Sequence, residues 1–280
     1  MIKKTFVVIS VVLFTFFMSS CANVKKNEGQ VKVQDSCEQV FYNAFSHNDY
    51  WRSKPLFDAL SHCFNCVEAD LWLIDGQLFV AHDRREIKQS DTFEDMYLKP
   101  LADRIKNNGG KVYTCSDKPF LLMVDCKTRG EEMYPVLKEI MEPYKELFCS
   151  IDEGNYKEGA VLFFLSGDRP LKTLPLEMSR FVFLDGRIND LNKEISSDIM
   201  PVVSDNYKNY FTWNGEGEMP EQELHKMREY VSQVHKEGKL IRWWGAPETK
   251  TFVQFLISEG VDLIGTDHIE PLYNILLENK

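Results

Sequence analysis

The chain has no stretch rich in Pro, Gly and Ser that would read as a linker between domains, which argues against two independently folded halves. No Gly-rich loop follows its first apolar segment after the amino terminus, so the usual sign of a doubly wound nucleotide-binding sheet is missing. A basic excess is missing too. The 33 Lys and Arg stand against 43 Asp and Glu, for a formal net charge of −10, and such a surface repels nucleic acid. It also repels a phosphate ester, so a site for one must supply its own positive charge, which a bound divalent cation does. The lone C-x-x-C, Cys63-Phe64-Asn65-Cys66, has no second pair and no histidine at finger spacing. It reads as buried thiols or a local disulfide in place of a zinc site.

The amino terminus carries the targeting signals. Lys3 and Lys4 precede an almost unbroken apolar run from Thr5 to Met18, too short for a spanning helix, and Ser19-Ser20-Cys21 follows. The pattern reads as a signal peptide, and small residues before a cysteine resemble a bacterial lipoprotein processing site. The expected organisation is therefore a signal peptide over 1–20, lipid on Cys21, a flexible tether over 21–36 and one folded domain over 37–280. The expected location is that of an exported bacterial lipoprotein, anchored to the membrane on its periplasmic or cell-surface side.

Within the folded part, short apolar or β-branched runs alternate with longer helical stretches, which predicts parallel strands joined by crossovers. The predicted strands are 40–45, 66–73, 120–125, 160–165, 180–184, 200–204, 240–244 and 261–266. Helical spacing of apolar residues predicts helices over 93–107, 131–147, 220–237 and 249–259. Asp75-Gly76 is a tight-turn signal that folds the second strand back through Leu78–Ala81 toward His82. Eight strand–helix units over this length predict a single (β/α)₈ TIM barrel, whose chemistry sits at the carboxyl ends of the strands.

Four sequence pieces converge there. His47-Asn48-Asp49 ends the first predicted strand, Glu68-Ala69-Asp70 lies in the second, His82-Asp83 follows the hairpin, and Asp125-Cys126-Lys127 ends the third. Alternate side chains of a strand share a face, so Glu68 and Asp70 converge on one point while Ala69 faces away. Carboxylates so placed suit a hard metal ion. Histidine titrates near neutral pH and serves as acid or base, and Lys127 offers a point charge to a phosphate oxygen. Histidines, acids and a lysine together point to metal-assisted phosphate chemistry. The residue-level alternative is that Lys127 pairs with Asp70 or Asp125 as a structural ion pair in a strand buried on both sides.

The order His, Glu-x-Asp, His-Asp, acid-x-Lys resembles the superfamily of glycerophosphodiester phosphodiesterases, phosphatidylinositol-specific phospholipases C and sphingomyelinase D-like enzymes, the PLC-like phosphodiesterases. The resemblance runs from about Phe41 to Leu272, is strongest over the first half through Lys127, and returns in Gly260-Val261-Asp262-Leu263-Ile264-Gly265-Thr266-Asp267, which is similar to the family's last strand. Ser46 to Arg52 and Arg242-Trp243-Trp244-Gly245-Ala246-Pro247 look most like a less characterised branch. The resemblance implies that Glu68, Asp70 and Asp125 bind one divalent cation, Mg²⁺ or Ca²⁺, and that His47 and His82 are the acid–base pair. Its expected activity is metal-dependent hydrolysis of a small phosphodiester, glycerophosphodiester-like or a phospholipid headgroup. Asn48-Asp49 stands where glycerophosphodiesterases have Arg-Gly. Asn48 is therefore expected to donate to phosphate, while Asp49 is left to join the metal shell or orient His47. Arg242 and Trp244 share a strand face and are placed as substrate-binding residues, with neutralisation of inward acids such as Asp205 as the other role for Arg242. The competing functional class is a non-catalytic lipoprotein that uses the same acidic mouth to hold a cation or polar ligand. Glycoside hydrolysis by Asp185 and Asp205 would leave the histidines unexplained.

Overall fold

A computed structural model describes residues 37–279, so the expected signal peptide, Cys21 and the tether lie outside the described residues. Eight strands run parallel: β1 (Phe41–Ser46), β2 (Phe64–Ile74), β3 (Phe120–Cys126), β4 (Val161–Gly167), β5 (Phe183–Gly186), β6 (Val202–Asn206), β7 (Leu240–Trp244) and β8 (Ile264–Thr266). Each neighbours the next in sequence through β7, and β8 lies beside β1. One parallel bridge, Arg242 with Leu263, brings β7 to β8 and nearly closes the ring. The expected TIM barrel is the observed architecture, with a seam between its last two strands.

Strand alternation sorts the core into two shells. Phe45, Cys66, Leu121, Met123, Phe164 and Phe183 fill the barrel interior. Val67, Ala69, Leu71, Leu122, Val124 and Leu165 pack in the outer cluster with the helices. The same parity turns Glu68, Asp70 and Asp125 inward, in phase with Cys66 and Met123. Register completes the arrangement, for Asp70 pairs across from Asp125 and Glu68 from Met123. The hairpin forms as expected: Ile74 pairs with Gln77 across the two-residue turn Asp75-Gly76, both at positive φ, and strand Gln77–Val80 lies antiparallel on β2.

The outer layer departs from expectation at three places. The segment predicted as one helix over 93–107 is a π-turn, Glu94–Leu98, followed by α2 (Lys99–Asn107), after the one-turn α1 (Phe57–Ser61). The next predicted helix stops as α3 (Gly130–Met141) and tightens into a 3₁₀ segment, where Pro143 removes a backbone donor. Strand β5 begins at Phe183 instead of Arg180, because the Arg180 backbone pairs with Ile151 of a separate small hairpin. Helices α4 (Glu221–Lys236), α5 (Lys250–Ser258) and α6 (Ile269–Glu278) complete the chain.

The cysteines also differ from the local reading. Cys63 is bonded to Cys37, not to Cys66. Cys66 lies on β2 and points into the barrel as a buried free thiol. Cys63 sits in the turn before it at φ 59, so the two sulfurs do not face one another.

Candidate active site

The carboxyl ends of β1, β2 and β3 bring the expected residues together. One carboxylate oxygen from each of Glu68, Asp70 and Asp125 lies within 4.8 Å of the others. Asp70 is fully buried, and Lys127 Nζ bridges it to Asp125, 2.9 Å from Asp70 Oδ2 and 2.6 Å from Asp125 Oδ2. The remaining oxygens, Asp70 Oδ1 and Asp125 Oδ1, are buried and meet no donor among the described residues. A buried acceptor without a partner is costly. Three oxygen ligands with unspent lone pairs suit a hard cation such as Mg²⁺ or Ca²⁺, so the residues fit the group that the sequence motif implies. Gly167, at the end of β4, makes room for this cluster: at φ +65, a Cβ there would lie 1.9 Å from Asp125 Oδ1.

Electrostatics mark Glu68 as the most burdened acid. Burial pushes its carboxyl up to about 8, opposed by Arg242 and reinforced by Asp70 and Asp125. Burial also acts on Lys127, but the attraction of Asp125 and Asp70 outweighs it and holds the ammonium above its ordinary range.

Two histidines flank the acids. His47 Nδ1 lies 2.8 Å from Asp267 Oδ1, and its Nε2 lies 3.8 Å from Glu68 Oε2. Burial and the nearby Arg242 lower its proton affinity, while Asp267 raises it. His82 Nδ1 lies 3.0 Å from Asp70 Oδ2. Each ring thus uses Nδ1 against a carboxylate, which favours the Nδ1–H tautomer and leaves Nε2 for proton transfer. Tyr50 ties the two loops together, its hydroxyl 2.7 Å from both Asp70 Oδ2 and Asn48 Oδ1 and 3.2 Å from His82 Nδ1. The hydroxyl has one proton to donate, so either Asp70 Oδ2 or Asn48 Oδ1 takes it at a time, while His82 Nδ1–H faces it as a donor.

The Asn48-Asp49 departure separates into two unlike residues. Asn48 adopts the left-handed conformation that Asn tolerates, φ 46 and ψ 48, and its amide reaches Asp267 Oδ1 at 3.3 Å. Asp49 neither joins the acid cluster nor touches His47. It is fully buried and accepts hydrogen bonds from Ser46 Oγ, the Leu56 amide and Tyr97 OH at 2.8, 2.5 and 3.0 Å.

Arg242 does not stand in the open mouth. It is 3 % exposed, stacks on Phe45 at 3.8 Å and directs Nη2 to Glu68 Oε2 at 3.1 Å. Its place is beneath the acid cluster, so it neutralises an inward acid, namely Glu68 in place of Asp205. Trp244, at the end of the same strand, is 40 % exposed at the rim. Asp185 and Asp205 are each engaged by local donors. Asp185 accepts from Ser166, Ser204 and Arg187, and Asp205 from the Ile188 and Asn206 amides and Tyr210. They present no free carboxylate pair. Asp267 and Tyr50 are the site residues that sequence reasoning did not assign. Asp267 was visible only as a polar strand end, 220 residues from His47, and Tyr50 only as one aromatic among several.

A family model described as the AIM6-like phosphodiesterase domain matches residues 35–185. Altered inheritance of mitochondria protein 6 from Lachancea thermotolerans is 26% identical over 278 residues, covering 82% of this chain and 64% of that protein. A homolog from Arthroderma benhamiae is 24% identical over 258 residues and covers 80% of each. Among solved structures, a putative glycerophosphoryl diester phosphodiesterase from Silicibacter pomeroyi superposes with a TM-score of 0.51 at 11% identity. It covers 86% of this chain and 94% of that one, and the likeness speaks for the fold. These relatives correct the expected location. They are fungal proteins, not bacterial lipoproteins, so the placement as an exported, membrane-anchored bacterial lipoprotein is withdrawn. With more than half of its length matched by one family model, the chain belongs to the AIM6-like phosphodiesterase family.

Proposed function

We propose that this chain is a metal-dependent phosphodiester hydrolase in which Glu68, Asp70 and Asp125 hold one divalent cation and His47 and His82 exchange protons with the reacting oxygens. One observation carries the reading: three inward carboxylates, two of them with buried oxygens that no donor meets, lie between two histidines fixed through Nδ1. When bound, Mg²⁺ or Ca²⁺ would supply Lewis-acid stabilisation of charge on the phosphoryl oxygens. The chain's own residues do the rest. His47, oriented by Asp267, and His82, oriented by Asp70 and Tyr50, present Nε2 for taking a proton from the attacking hydroxyl and returning one to the departing oxygen. Lys127 stands beside Asp70 and Asp125 as a point charge for a phosphate oxygen, and Asn48 and Trp244 border the same mouth.

The substrate this reading favours is a small phosphodiester, of the glycerophosphodiester kind named for the Silicibacter structure, or a phospholipid headgroup. The net negative surface disfavours nucleic acid. The test is a panel of glycerophosphodiesters, inositol phosphodiesters and sphingomyelin, assayed with Mg²⁺ or Ca²⁺ and after chelation, with products identified. Cleavage of at least one class, lost on chelation and restored by the cation, is expected. Equal rates with and without chelator would overturn the metal assignment, and no cleavage of any class would return the chain to the binding-protein class.

A further inference from the structure

Between the two histidines lies a side chain that touches the surroundings of both. Asn48 is 3 % exposed, and both ends of its amide are engaged. Its Nδ2 donates to Asp267 Oδ1 at 3.3 Å, the same oxygen that His47 Nδ1 meets at 2.8 Å. Its Oδ1 accepts from the Tyr50 hydroxyl at 2.7 Å, and that hydroxyl lies 3.2 Å from His82 Nδ1. The reversed amide would set its oxygen against the Asp267 carboxylate, so the orientation seen is the one that gives each end a complementary partner. A continuous line of polar contacts therefore runs from His47 through Asp267, Asn48 and Tyr50 to His82. It meets the acid cluster at Asp70, 2.7 Å from the Tyr50 hydroxyl.

Few residue types suit this place. Position 48 sits at φ 46 and ψ 48, a conformation that Gly, Asn and Asp visit far more readily than other residues. Glycine has no side chain, and an ionised aspartate has no donor. Asparagine joins the left-handed backbone to one donor group and one acceptor on a short stem. The flanking residues hold the joint in place. Asp49 anchors the turn through Ser46, the Leu56 amide and Tyr97. Arg52 donates Nη2 to the carbonyls of His47 at 2.9 Å and Thr266 at 3.2 Å, and Nη1 to the Asp267 carbonyl, which ties the backbone at His47 to the end of β8. Trp51 meets the His82 ring, centroids 5.2 Å apart and planes at 60°.

We propose that Asn48 is a positioning residue that couples the two histidines, so that the hold on one ring depends on the contacts of the other. Its use in catalysis rests on the phosphodiesterase reading, but the coupling itself is measured without turnover. Acid–base chemistry by two rings needs both to face the same phosphate at once, and a joint shared by their orienting groups meets that need before substrate arrives. The role differs from the phosphate contact expected of Asn48 from the sequence. A buried amide engaged at both ends orients its neighbours and leaves phosphate to Lys127.

The experiment reads the imidazole ¹⁵N–¹H signals of the full chain, with no cation or substrate added, at about pH 8.5. Signals are assigned with His47→Ala and His82→Ala. Both rings of the parent are expected to show a hydrogen-bonded Nδ1–H. Tyr50→Phe removes the donor to Asn48 and leaves Asp267 in place, and it is expected to shift or broaden the His47 signal as well as that of His82. Asn48→Gly keeps the left-handed backbone, removes the amide and is expected to change both. Kinetics follow on the fastest-cleaved diester of the substrate panel, with Mg²⁺ or Ca²⁺. Each variant is expected to lower kcat about 10-fold with KM within about twofold, and the double variant to lose about 10-fold in place of the about 100-fold of independent effects. A raised KM with unchanged kcat in Asn48→Gly would return Asn48 to the phosphate and overturn the proposal. A Tyr50→Phe spectrum in which His82 shifts and His47 does not would overturn it too, as would losses that multiply in the double variant. A parent protein that cleaves no diester counts against the phosphodiesterase reading, and the spectra still decide the coupling.

Discussion

Two groups of buried acids sit at the same end of this barrel and differ in how their charge is balanced. Across β4, β5 and β6, Asp185 is fully buried, and its Oδ2 alone receives Ser166 Oγ at 2.8 Å, Arg187 Nη1 at 2.7 Å and Ser204 Oγ. Across β2 and β3, three acids share one cation at Lys127 and another at Arg242, and two of their oxygens receive nothing. The first is a single charge with its own counter-charge and three donors on Oδ2, and its Oδ1, like Asp70 Oδ1 and Asp125 Oδ1, is buried and meets no donor among the described residues. The second is a surplus of negative charge that the chain does not neutralise. Burial is therefore no guide to role by itself. What separates a supporting carboxylate from one held ready for a ligand is the balance of charge around it.

This contrast is open to experiment. The largest effect belongs to the acid-surplus side: His47→Ala and His82→Ala are each expected to lower kcat for a cleaved phosphodiester by about 10²–10⁴, with the melting temperature little changed. Rates equal to the parent protein would remove both rings from the chemistry. On the other side, Asp185→Ala leaves Arg187, a partly exposed side chain, without its counter-charge and removes the acceptor of Ser166 and Ser204; it is expected to cost about 3 kcal/mol of stability, measured by urea denaturation, while cation affinity stays at the parental value. A large fall in cation affinity would break the division between the two groups.

Asp49 is the intermediate case, one carboxylate with three donors, no ion pair among the described residues and only the more distant charge of Arg52 in its favour. Burial pushes it up to about 6 despite those hydrogen bonds. Its folded value lies above the unfolded 3.8, so the unfolded chain releases this proton first as pH rises. The contribution is complete below about pH 4 and is lost as pH climbs through 6, a swing of up to about 3 kcal/mol. Asp49→Asn is expected to flatten that part of the stability profile between pH 4 and 6, and an unchanged slope would reassign the titration. The smallest effect is steric. Gly167→Ala directs a Cβ onto Asp125 Oδ1 at a positive φ and is expected to weaken cation binding about 10-fold. Calorimetry with Mg²⁺ or Ca²⁺ reads it directly, and parental affinity would show that Asp125 moves aside without consequence.

Much of this was legible from the sequence, and the limits follow from the physics. Glu68-x-Asp70 and Asp125-x-Lys127 could be read because strand parity is a local property, and the eight apolar runs announced the barrel. The partner of His47 could not be read, because Asp267 arrives from the far end of the chain only when β8 closes against β1. Arg242 was placed on the correct strand face, yet its depth beneath Glu68 depends on Phe45 lying under it. Asn48-Asp49 looked like one substitution, but a left-handed residue at Asn48 turns the two side chains to different surroundings. The C-x-x-C spacing was uninformative, because Cys63 belongs to a turn and Cys66 to the strand that follows it.

The bond between Cys37 and Cys63 ties the start of β1 to the entry of β2, with 26 positions separating the two cysteines. Everything from β1 through His47, Asn48, Tyr50 and α1 lies inside that ring. In chain-statistical terms, the cross-link removes about 3.5 kcal/mol of disorder from the unfolded ensemble. It also limits how far the segment can stray when it opens locally, because both ends stay joined while the middle moves. The histidine of the first βα unit is thus carried on a closed loop, and its return after each opening is a search over a restricted set of conformations.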